Sequence, residues 1–69
     1  MANAMHLQKR TVQARFYECG SAPSIGDVLH DWNSSPDGIA TITTYSPLSE
    51  IKREGVLAGY NYLIEAEHF

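Results

Sequence analysis

The side chains able to do chemistry in this 69-residue chain are few and scattered: one cysteine, three histidines and a handful of carboxylates. Cys19, with His30 eleven residues on, offers a thiol and a base, the combination that activates a nucleophile. That separation implies no contact, and a half-buried thiol at a strand end beside a solvent-side histidine accounts for both residues. Metal ligation would draw on His6, His30, Asp31 and His68. No two of these stand at the i, i+4 or tight-turn spacing by which one element builds a site, so no metal or other cofactor is expected. Glu65 and Glu67, alternate residues on one strand, have the type of a hydrolytic acid pair. They equally have the type of a solvated strand side with Arg15 as its cross-strand partner. Tyr45, Tyr60 and Tyr62 with Phe16 join apolar rings to polar tips and would line either a small-molecule pocket or a plain core. A ligand cavity of the usual size, about 300 Å³ or more, would have to lie between subunits of so small a chain. Phosphate-binding glycine loops and nucleophile elbows are absent from the sequence, so enzymatic activity is the less favoured reading.

Size and composition narrow the class. A chain of 69 residues is one domain, and burying only about 60% of its unfolded surface leaves a thin stability margin. A single cysteine forms no internal disulfide, so self-association is the remaining source of stability. Hydrophobic residues make up 43% of the chain, enough for a folded core. Five basic against eight acidic residues, a net charge of -3, argue against a nucleic-acid partner, whose phosphates require clustered Lys and Arg. No apolar run is long enough to span a membrane. The start, Met1 to Leu7, lacks the cationic and apolar regions of a secretory signal. A cytoplasmic protein is therefore expected. Residues 1–10 read as a flexible segment, with Met5 an alternative start, and residues 11–69 as the domain.

Local pattern then supplies the elements. Thr11 to Cys19 alternates Val12, Ala14 and Phe16 with Thr11, Gln13, Arg15 and Tyr17, a strand with one apolar face. Ile25, Val28, Leu29 and Trp32 fall at i, i+3, i+4, i+7, one stripe of a helix. Ser24 with Asp27 resembles its capping box. Pro36 and Asp37-Gly38 stop that helix, and the β-branched run Ile39 to Tyr45 follows as a second strand. Ser46 to Ala58 reads as a mobile hairpin loop carrying Glu50, Lys52, Arg53 and Glu54. Its alternative is a short helix opened by Pro47 and ended by Gly55. The last strand, Val56 to Glu67, is apolar at Tyr60, Tyr62, Ile64 and Ala66 on one side and at Leu63 on the other.

These elements predict an α+β fold: a small two-layer β-α-β-β domain whose three-stranded mixed sheet has its third strand in the centre and the helix on one face. Val12, Ala14 and Phe16 would lie under the helix. The opposite face would hold Arg15, Tyr17, Leu63, Glu65 and Phe69, the candidate interface or binding residues, because an open apolar patch calls for a cover. The layout resembles that of a group of short uncharacterised bacterial strand-helix-strand-strand domains. The resemblance rests on Val28-Leu29, Asp37-Gly38, Ile39 to Thr43, Pro47 and Tyr60 to Glu65; Ile39 stands where such domains commonly carry Trp. It implies a fold and self-association, and no activity. The expected function is a non-enzymatic module that self-associates and binds a protein or small ligand at its sheet face or subunit interface. One alternative is a small acidic inhibitor or antitoxin-like protein acting through the Glu50 to Glu54 loop. Another is a compact oligomeric enzyme with an interface site built from tyrosines, Arg15 and Glu65.

Overall fold

The structure, a computed structural model, describes residues 8–69, so His6 and most of the expected flexible segment lie outside the described residues. The chain forms four strands: β1 (Lys9–Glu18), β2 (Val28–Leu29), β3 (Ala40–Arg53) and β4 (Val56–His68). They make one sheet in the order β1-β4-β3-β2, every neighbouring pair antiparallel, curled into a half-barrel. The expected α+β fold is thus corrected to an all-β one with no mixed pairing and, among the described residues, no helix. The strand-helix-strand-strand layout implied by the resemblance falls with it.

The helix gives way to a local turn and to pairing with β3. Gly26 sits at φ 96°, and Asp27 N–H donates to Ser24 O at 3.0 Å, which closes a turn where the first helical turn was expected. Half of the capping box survives without its helix: Ser24 N–H donates to Asp27 Oδ2 at 2.9 Å. The backbone groups of the segment are satisfied by the sheet instead. Gly26 N–H donates to Ile42 O at 2.8 Å, Ile42 N–H to Asp27 O at 2.9 Å, and Val28 and Leu29 pair with Thr41 and Ala40. A helix this short, with a glycine in its first turn, does not compete with such pairing. Ile25 and Val28, expected on the buried stripe, are exposed, while Trp32 is fully buried.

Ser46 to Arg53, expected as a loop or short helix, continues β3 instead. The connection shrinks to Glu54-Gly55 at φ 52° and 78°, a two-residue turn with both centres left-handed, matched to the twist of a hairpin. Pro47 is tolerated because, among the described residues, β3 has no neighbour on its outer side there. Extra residues at Thr43 and Leu48 on β3 and at Ala58 on β4 shift the register, and such bulges bend and coil a sheet.

Trp32, Ala40, Ile42, Ile64 and Ala66 form the core, with Tyr17, Leu29 and Tyr62 packed against them. This core lies on the sheet face crossed by residues 19–39, the covered face; the other, crossed by no described segment, is the bare face.

Candidate interaction surfaces

The two faces of β1 are reversed relative to expectation. Thr11 pairs with Ala66, Gln13 with Ile64, Arg15 with Tyr62 and Tyr17 with Tyr60, so the polar set of β1 lies on the covered face. Val12, Ala14 and Phe16 pair with Glu65, Leu63 and Asn61 and lie on the bare one. In a strand of period two, the choice of face moves every side chain together.

Trp32 is the reason for this choice. Its buried indole needs an acceptor, and Thr11 Oγ1 receives its Nε1–H at 2.8 Å. Thr11 Oγ1 also lies 3.0 Å from His68 Nε2, and His68 Nδ1 lies 3.0 Å from the Phe69 main-chain oxygen. Every polar atom in this buried chain is satisfied when His68 carries its proton on Nδ1. Arg15 lies over the Trp32 ring at 5.0 Å. Its guanidinium donates to Gln13 Oε1 at 2.7 and 3.1 Å and to Asp31 Oδ1 and the Asp31 main-chain oxygen at 2.9 Å each. The fork geometry of arginine clamps the loop onto the sheet. The hydrogen bond from Arg15, joined by its charge, holds the Asp31 carboxyl below its ordinary value.

Beyond the reach of Trp32, all four tyrosines of the chain gather on the covered face. Tyr17, Tyr45 and Tyr60 surround Tyr62 at ring separations of 5.6, 5.9 and 6.2 Å. Burial, followed by the nearby Asp27 charge, raises the Tyr17 hydroxyl above its ordinary value.

On the bare face, Val12, Phe16 and Leu63 are 51%, 39% and 39% exposed. The Phe16 ring lies over Gly59, where an added Cβ would come within 2.8 Å of it, and Arg53 lies 5.7 Å from the ring. A shallow hollow of about 140 Å³ is lined by Val12, Thr44, Tyr45, Ser46, Leu63 and Glu65. It is well short of the roughly 300 Å³ at which pockets enclose a drug-sized ligand. Glu65 accepts from Thr43 Oγ1 at 2.9 Å and lies 3.9 Å from Arg10, which also reaches Glu67 at 3.3 Å. The two carboxylates share one arginine in ion pairs that are partly exposed on the solvated side of the strand. The cross-strand partner of Glu65 is therefore Arg10, and Arg15 pairs with Asp31.

The five candidate interface residues do not share one surface. Arg15 and Tyr17 lie on the covered face, Leu63 and Glu65 on the bare face, and Phe69, 57% exposed, follows the end of β4. Val12, Ala14 and Phe16 are the interface candidates that sequence reasoning assigned to the core. The alternation of β1 groups them on one side without saying which side meets the core. Cys19 lies against Leu57 O at 3.6 Å, and no hydrogen bond joins it to His30. Among the described residues, no group of His, Cys, Asp and Glu is arranged to hold a metal, and no helix is long and apolar enough to cross a membrane.

Comparison of the chain with family models, with curated proteins and with solved structures finds no match.

Proposed function

We propose that this chain is a non-enzymatic module that self-associates and offers its bare sheet face to a protein or small-ligand partner. One observation carries the reading: Val12, Ala14, Phe16 and Leu63 adjoin one another on a sheet face that no described segment crosses. Apolar side chains set together on an open sheet gain about 25 cal/mol for each Å² removed from water, and a cover supplies that gain. The shallow hollow beside Leu63 becomes a ligand-sized space only when a second surface closes over it.

Light scattering at micromolar concentration tests the reading. A mass at least twice the 7.7 kDa of the chain is expected, and a 7.7 kDa species refutes it. Leu63→Glu places a charge at the middle of the patch. It should weaken assembly or partner binding while leaving the covered core intact.

A further inference from the structure

We infer that two copies of this chain join side by side through their β1 strands, antiparallel, with Ala14 on the two-fold axis. The inference rests on the self-association proposed above and specifies its geometry.

The two edges of the sheet differ. The outer edge of β3 is occupied at Ala40 to Ile42 by β2 and the turn before it. Further along, the edge is interrupted by Pro47 and by the bulge at Leu48, features that blunt an edge against pairing. β1 has none of them. It pairs with β4 in unbroken register over all ten residues from Lys9 to Glu18 and contains no proline. Alternate residues of a strand turn their N–H and C=O groups to opposite sides, so half of these groups point away from β4. Among the described residues, Ser21 N–H donates to Glu18 O at 2.9 Å at the end of this edge, and from Arg10 to Phe16 no backbone group of another segment pairs with it.

The occupant is identified by the residue pattern of β1. A two-fold axis at Ala14 sets Val12 opposite Phe16 of the second copy and Arg10 opposite Glu18 of the second copy, all on the bare face. Gln13 meets Arg15 of the second copy and Thr11 meets Tyr17 of the second copy on the covered face. Each symmetric interface therefore repeats one β-branched–aromatic pair and one opposite-charge pair, the combinations that favour cross-strand pairing. Among the described residues, Glu18 makes no ion pair, so its charge is available. A shift by one residue would set the bare face of one copy beside the covered face of the other and lose both matches. The resulting eight-stranded sheet carries one uninterrupted apolar patch made of Val12, Ala14, Phe16 and Leu63 from both copies.

The test combines sedimentation with disulfide trapping. Glu18→Lys sets lysine opposite Arg10 of the second copy twice over, and should raise the dimer dissociation constant about tenfold at low salt. In a Cys19→Ser background, Ala14→Cys should oxidise to a covalent dimer without denaturation, and Leu48→Cys on the β3 edge should not. Circular dichroism verifies that each variant is folded. A monomeric parent protein overturns this inference together with the function proposed above. A dimer that Leu63→Glu weakens, that Glu18→Lys leaves unchanged and that Ala14→Cys does not lock overturns the β1 pairing alone, leaving self-association through the bare face.

Discussion

Thr11→Val removes one hydroxyl from the protein and keeps its volume, which isolates the hydrogen bonds that hold Trp32 in place. The hydroxyl serves the Trp32 indole at 2.8 Å and the His68 ring at 3.0 Å. Trp32 is 0% and His68 4% exposed, so water does not replace the lost partner at either. Each buried orphan costs about 1–3 kcal/mol, or about 2–6 kcal/mol for the two. A domain of this size has a total stability of about 3–10 kcal/mol. Urea denaturation followed by far-ultraviolet circular dichroism at fixed protein concentration should then show the midpoint falling by about 2 M or more, with an unchanged slope. Trp32→Phe provides the control, because it removes the donor and leaves the Thr11 hydroxyl with His68. In that background Thr11→Val should cost about 1 kcal/mol less than in the parent, since no indole N–H remains to be stranded. A Thr11→Val cost under about 0.5 kcal/mol, or strictly additive effects, would refute the account of why β1 turns its polar side to the core.

Two further outcomes follow from the site geometry. Gly59→Ala drives a methyl against the Tyr17 main-chain oxygen and the Phe16 ring and should destabilise the fold by about 1–3 kcal/mol. Phe16→Ala in the same chain should relieve only part of this, as thermal melting would reveal, because the backbone oxygen remains. Stability should also fall at both ends of the pH scale. Hydrogen bonds from Ile39 N–H and Ser35 hold the Asp37 carboxyl below its ordinary value of 3.8, as Arg15 does for Asp31. Their contribution is full above that value and is lost as pH falls through the lowered folded values. Tyr17 is raised above 10.0 by burial, so its contribution is full below that value and is lost as pH rises through the raised folded one. Melting temperatures across pH should show the acid limb flattened in Asp31→Asn/Asp37→Asn, and an unflattened limb would remove the carboxylates as its cause.

The hydrogen-bonded path of the backbone was legible where neighbouring residues alone decide it. Alternation in β1 and β4, the β-branched run opening β3 and the turn glycines reflect steric preferences that each residue carries with it. The stretch from Ser24 to Trp32 was ambiguous because its apolar spacing suits a helix while Gly26 and Asp27 suit a turn. Pairing with Ala40, Thr41 and Ile42, distant in sequence, settled it. The same holds for the interaction surface. Alternation shows that Val12, Ala14 and Phe16 share a side, and it carries no information about which side meets the core. Trp32, placed by a loop, with its indole N–H donated to Thr11 and its ring against Arg15, made the polar side of β1 its bed and turned the apolar side outward. Local sterics determine the extension of a strand, whereas its facing depends on where the largest buried side chain can satisfy its one donor, a question that arises only once the chain has closed on itself.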